Sequence, residues 1–235
     1  MKNSRFHQRL EVQFRGQTTL LSSSLGTFSV YDPRQLFTGF SWDALSLSGT
    51  LLSVPPRRIL LLGMGGGTVI RQCRHLYPDA RIDAVEIDPF VIRSARAHFH
   101  LPRSAVRVFE ADAAKFLRRS SSSYDMILDD VWVDDPGFVK FLFADDGYRD
   151  VVHRRVSARG LYAANLWCHP PARSEVRRAA RCLRQHFPVL VALRPSLGPT
   201  GVLAAMRDGG RAKASRRVLL DRYAIRVQTI PVSLL

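Results

Sequence analysis

The sequence predicts an α/β fold: a doubly wound, mostly parallel sheet preceded by a small N-terminal β section. Three observations carry that expectation. From residue 57 onward, short apolar runs alternate with helix-patterned stretches, as strands joined by covering helices do. The first apolar run leads into GMGGG (63–67), four glycines in five positions with a helix pattern directly after them. Residues 1–54 carry instead LEVQF, TTLLS and TFSVYD, β-type runs broken by Gly16, Ser22–Ser24 and Gly26, which read as hairpins.

Pro55-Pro56 punctuates the chain and closes that opening section. Strand-like ILLLG (59–63) precedes a helix over about 68–76. RIDAVEI (81–87) precedes a helix at 89–98, with Pro89 in its tolerated first turn. AVRVFEA (105–111) leads to DAAKFLRR, and YDMILDD (124–130) ends in an acidic, non-helical stretch. A helix near 145–156 leads to the strand GLYAANLW (160–167) and then to an arginine-rich helix over 172–186. PVLVALR (188–194) and GVLAAMR (201–207) read as closing strands. The strands are apolar on both faces, as a sheet covered on both sides requires. The expected division is an N-terminal β section over 1–54, an α/β domain over 55–210, and a basic then apolar tail over 211–235 that supplies an edge strand or a subunit contact.

The bulk numbers narrow the class. The chain has 235 residues, 46% of them hydrophobic, enough to bury a core. No apolar run approaches the ~18 residues of a membrane span, and MKNSRFHQRLEV lacks a secretory block. Cys73, Cys168 and Cys182 show no CxxC spacing. A reduced, cytoplasmic protein without a metal site is expected. The net charge of +15 favours phosphate-rich partners at least non-specifically. The arginines concentrate only in 173–185 and 211–217. They read first as a solvated face, with a nucleic-acid surface as the competing partner.

In a sheet of this kind, ligands sit at the carboxyl ends of the strands, where strand order reverses. Gly63, Gly65 and Gly67 would let the backbone approach such a ligand, and the helix after them aims its N–H groups at it. The dinucleotide pattern GxGxxG would require a third glycine at 68, which is Thr. Glu86 closes the second strand of the alternation near the offset at which an acid grips ribose hydroxyls. Asp112 follows the third strand, where it can accept from an adenine amino group or cap the helix AAKFLRR. His98 and His100, in HFHL past a helix end, read as surface or packing residues far from the loop.

LLGMGGGTVIRQ, AVEIDPFVI, FEADAAKFL, YDMILDD, LFADDGYRDV and LGPTGVLAA together resemble the spermidine-synthase family of aminopropyltransferases. That family is a branch of the Rossmann-like class I fold that binds S-adenosylmethionine, and the resemblance runs from about Leu25 to Met206. It implies a donor, S-adenosylmethionine or its decarboxylated form, held by the glycine loop, Glu86, Ile87, Asp112 and Ala113. It implies Asp130 as general base or orienter of a small-molecule amine acceptor, with Asp134 assisting. Crowded carboxylates there should raise at least one pKa. Trp42, Trp132 and Asn165, with Trp167 beyond it, fall on the acceptor side. The family also implies dimers or tetramers.

Departures from the family pattern cluster on the acceptor side. Gly66 replaces the acid that would hold the aminopropyl amine, Val133 replaces a second acid, and Trp42 replaces a tyrosine. Leu197-Gly198-Pro199-Thr200-Gly201 has lost the tyrosine of the closing motif. An altered acceptor is therefore expected. Methyl transfer to a small molecule, protein or RNA is one alternative, and a non-catalytic nucleoside-binding homologue is another.

Overall fold

A computed structural model describes residues 10–23, 26–101, 106–132, 140, 145–168, 174–208 and 221–229. The opening runs form a three-stranded antiparallel sheet, β1 (Glu11–Arg15), β2 (Thr18–Ser23) and β3 (Gly26–Tyr31), in the order β1-β2-β3. The next element is one that the sequence pattern did not announce. Ser41–Leu47 forms a helix, α1, continued by a 3-10 turn at Ser48–Leu51. All seven α1 residues are buried, so no polar face gives it the periodicity of an amphipathic helix.

The main sheet has eight strands: β4 (Arg58–Leu62), β5 (Arg81–Glu86), β6 (Val106–Glu110), β7 (Tyr124–Asp129), β8 (Val156–Trp167), β9 (Val189–Arg194), β10 (Thr200–Met206) and β11 (Arg226–Thr229). Their order is β11-β9-β10-β8-β7-β4-β5-β6. Strands β4 to β8 pair in parallel. Strand β10 runs antiparallel between β8 and β9, and β11 closes the edge antiparallel to β9. The tail thus supplies the edge strand foreseen for it. Helices α2 (Thr68–Leu76), α3 (Pro89–His98), α4 (Ala113–Arg119), α5 (Asp146–Arg155) and α6 (Ser174–Arg184) connect the strands.

Two apolar layers sandwich the sheet. Residues of α1, α2 and α3 join Leu61, Ala84, Met126, Leu128 and Ala163 on one face. Residues of α4, α5 and α6 join Leu62, Val85, Ile127, Tyr162 and Ala164 on the other. Alternate strand residues therefore feed opposite layers, as the pleat demands. No described helix is long and apolar enough to cross a membrane. On α6, Ala179, Ala180 and Leu183 face the core, while Arg177, Arg178 and Arg181 face solvent.

The small sheet docks on α2 and the loop before it. Thr68 Oγ1 donates to the Val30 carbonyl and accepts from the Val30 N–H, each at 2.9 Å. Arg71 Nη2 reaches the Asp32 carbonyl at 2.6 Å. The residue that breaks the dinucleotide glycine pattern is thus a clamp for the N-terminal sheet.

Candidate active site

Strand β4 lies between β5 and β7, so the chain reverses its direction of winding at the loop after β4. Gly63 opens that loop. Its N–H donates to the Val85 carbonyl at 2.9 Å, and its backbone takes φ +75°, a conformation open to glycine and costly for other residues. A Cβ there would lie 2.6 Å from the Asp130 carbonyl oxygen. Gly63 therefore lets the ends of β4 and β7 close together. Gly65 and Gly67 come next, and Gly67 leads directly into α2.

Gly66 has a different reason. A Cβ on it would meet the Phe99 ring at 2.7–2.9 Å, and its N–H donates to Ser29 Oγ at 2.7 Å. Leu101 stands 3.0 Å from a Cβ on Gly67. The HFHL segment, expected far from the loop, instead packs against it through Phe99 and Leu101. His100 stacks on Tyr31 with ring centroids 4.8 Å apart. Burying Phe99 and Leu101 draws the histidines in beside the small sheet.

Glu86 ends β5 and is 7% exposed. Its Oε2 accepts from the N–H groups of Met64 at 3.2 Å and Gly65 at 3.3 Å, and its Oε1 accepts from Asp88 N–H at 3.1 Å. Burial pushes its pKa up to about 7 against the pull of those three donors. Ile87 beside it is half-buried. The Ala111 N–H donates to the Glu86 carbonyl at 3.0 Å, which ties the β6 end to the β5 end. Asp112, one residue on, caps α4 by accepting from Lys115 N–H at 2.8 Å, and Ala113 is buried behind it. The capping role foreseen for Asp112 is therefore present, and its partial exposure leaves an acceptor oxygen for a ligand.

Asp129 ends β7 and Asp130 follows it, and the two point to opposite layers. Asp129 is 1% exposed. It accepts from Tyr162 Oη at 2.5 Å, Tyr148 Oη at 3.2 Å, Lys140 Nζ at 3.2 Å and the Val131 N–H at 3.2 Å. Every lone-pair direction of this carboxylate is engaged, so it anchors the β7 end. Sequence reasoning overlooked this cluster of Asp129, Lys140, Tyr148 and Tyr162. The adjacent Asp-Asp pair was the available signal, because strand alternation sends one of two neighbours into the core.

Asp130 faces the other layer and is partly exposed. Its Oδ1 accepts from Asn165 Nδ2 at 2.7 Å. Burial pushes its pKa up to about 6, opposed by Asn165, Lys140 and a Trp132 side-chain hydrogen bond and reinforced by Asp129. The foreseen rise is present, but desolvation is its main cause and carboxylate crowding a lesser one. A carboxylate neighbour requires Asn165 to present its NH2, which turns Oδ1 the other way. That Oδ1 is the one buried side-chain oxygen without a partner among the described residues.

Trp132 lies with its ring centroid 4.7 Å from Lys140 Nζ. Trp42, on α1, is 8% exposed and joins the core, with Phe40 at 5.9 Å between ring centroids. Asp134 lies outside the described residues. The loop, Glu86, Asp112, Asp130 and Asn165 all stand at the carboxyl ends of the five parallel strands. This edge carries two carboxylates with raised pKa values and one unpaired acceptor oxygen.

The family model for the spermine/spermidine synthase domain matches residues 44–206. The chain belongs to the spermine/spermidine synthase family. Among curated relatives of this family, it is 32% identical over 166 residues to a polyamine aminopropyltransferase of Chromobacterium violaceum, covering 67% of this chain and 62% of that protein. It is 36% identical over 110 residues to one of Vibrio vulnificus, covering 45% and 37%. The matched segments thus span less than two thirds of those relatives' own lengths. A probable spermidine synthase from Corynebacterium glutamicum shares the fold at TM-score 0.78 and 19% identity, over 100% of this chain and 92% of that one. Human Methyltransferase-like protein 13 in complex with SAH shares it at TM-score 0.67 and 22% identity, over 77% and 89%.

Proposed function

We propose that this chain transfers an aminopropyl or related alkyl group from S-adenosylmethionine, or its decarboxylated form, to an amine. The observation that carries the reading is the Asp130–Asn165 pair at the strand edge, beside the glycine loop and Glu86. Glu86, once ionised, would accept both hydroxyls of a ribose. Asp112 and Ala113 would border the adenine, with Ile87 beside Glu86. The amine lone pair attacks the carbon bonded to the sulfonium, the carbon–sulfur bond breaks, and its electrons leave on sulfur as a neutral thioether. Asp130 takes the proton that the new ammonium sheds. Asn165 Oδ1 accepts a second N–H of the incoming amine and so aims its lone pair at the reacting carbon. Asp134, four residues on in the chain, is the assisting acid that the family resemblance implies. Family membership and the curated relatives named polyamine aminopropyltransferases support the reaction class.

Methyl transfer is the second reading, and one observation favours it. The space that a side chain at Gly66 would need is filled by Phe99, so this position cannot supply an acid to hold an aminopropyl amine. The eEF1A lysine and N-terminal methyltransferase of Xenopus laevis is 27% identical over 149 residues, 57% of this chain and 20% of that protein.

Calorimetry with S-adenosylmethionine, its decarboxylated form and methylthioadenosine ranks the donors. A preference for the decarboxylated donor supports aminopropyl transfer, and a preference for S-adenosylmethionine supports methyl transfer. Asp130→Asn should reduce transfer by about a hundredfold or more while leaving nucleoside affinity nearly unchanged. Wild-type activity should fall as pH drops through about 6, because the protonated carboxyl cannot accept a proton. Unchanged turnover in Asp130→Asn would refute the assignment.

A further inference from the structure

Five large apolar side chains among the described residues are substantially exposed, and three of them stand together at the acceptor end of the sheet. Phe40 is 38% exposed, Trp167 37% and Leu197 51%. Backbone bonds and close approaches tie them to one rim. The Leu197 N–H donates to the Gly39 carbonyl at 2.9 Å, and the Leu197 side chain lies 2.9 Å from where a Cβ on Gly39 would be. Phe40 stands 2.9 Å from a Cβ position on Gly198 and so covers the place of the tyrosine that the closing motif lacks. Trp167 pairs with Thr200 across the β8–β10 ladder, and Thr200 Oγ1 donates to Ser41 Oγ at 2.9 Å.

On β8 this rim adjoins Asn165. Asn165 and Trp167 are two residues apart on β8 and share one face, roughly 7 Å along the strand. An amine held by Asp130 and Asn165 would have Trp167 next to it on the same face of β8, with Leu197 and Phe40 beyond. Toward Leu197 and Phe40 a second ammonium would shed its water against apolar side chains, which is unfavourable; the carboxylate at the Trp167 end, Glu175, already accepts from the Trp167 N–H at 3.0 Å. An alkyl or aromatic body would bury surface there. The overall charge of +15 adds long-range repulsion of polycations.

Resting on the transferase reading above, we infer that the acceptor is a primary amine on an apolar alkyl or aromatic body, lying along Trp167, Leu197 and Phe40, and is not a diamine or polyamine. The test uses two amines of equal length, heptylamine and 1,6-diaminohexane, titrated calorimetrically into the full chain saturated with methylthioadenosine. Heptylamine should bind about tenfold tighter or more. Leu197→Ser and Phe40→Ser, both exposed sites, should each cut that preference to about threefold or less while leaving methylthioadenosine affinity unchanged. Equal or tighter binding of the diamine overturns the inference. So does binding of neither amine to a chain that binds methylthioadenosine, as would happen if another segment of the chain covered the rim. Failure to bind methylthioadenosine at all would refute the donor reading itself, so the two failures are told apart.

Discussion

Glu86 joins the stability of this fold to its proposed work. Its carboxyl is held at a pKa of about 7 against an ordinary 4.5, mainly by burial. Between those values the folded chain keeps a proton that the unfolded chain has lost, so stability falls as pH rises through that window. At about 1.4 kcal/mol per pH unit, the ionised carboxylate costs the fold on the order of 3 kcal/mol above pH 7. Glu86→Gln removes the titration while its side-chain oxygen still accepts from the Met64 and Gly65 N–H groups. Urea unfolding of both proteins at pH 5 and pH 8 isolates the effect, because every other titrating group cancels in the difference. Relative to wild type, the Gln variant should gain about 2.5 kcal/mol on going from pH 5 to pH 8. It should also lose methylthioadenosine affinity, since an amide cannot accept two hydroxyls as a carboxylate does. A wild-type-minus-variant difference that stays constant with pH would refute the reasoning.

Two further perturbations probe the scaffold. Lys140→Met leaves Asp129 buried with only Tyr148, Tyr162 and the Val131 N–H; a loss of about 3 kcal/mol is expected in urea unfolding. Adding Asp129→Asn should return part of it, because the stranded charge is gone. Gly63→Ala forces a side chain into a positive-φ position against the Asp130 carbonyl oxygen. It should cost about 2 kcal/mol or more and lower transfer activity by displacing Asp130; wild-type melting and turnover in this variant would refute the close approach.

What could be read from the chain tracked its local periodicities. ILLLG, RIDAVEI and YDMILDD announce buried parallel strands, and the residues at their ends had to share one edge once those strands were parallel. The alternation alone thereby assigns Glu86, Asp112 and Asp130 to that edge. Helix α1 was invisible because it is buried on every side and so carries no polar stripe. Phe99 was invisible as the wall behind Gly66 because its position depends on how α3 ends against the small sheet. Thr68 breaks the glycine motif in sequence because Val30 bonds it at both its N–H and its carbonyl, a contact made 38 residues away.

By itself the sequence determined the strand–helix alternation, the glycine turn and the set of acids at the strand ends, because hydrophobic period and turn chemistry are local properties of the chain. Only the tertiary structure decided that Asp129 is sealed by Lys140 and two tyrosines and that Asp130, which the family resemblance singles out, stands beside Asn165. It also decided that Phe40, Trp167 and Leu197, far apart in the chain, form one apolar rim. Those outcomes depend on the pairing of β8 with β10 and on the packing of α5 against the sheet, contacts between segments whose separation along the chain gives no period to read.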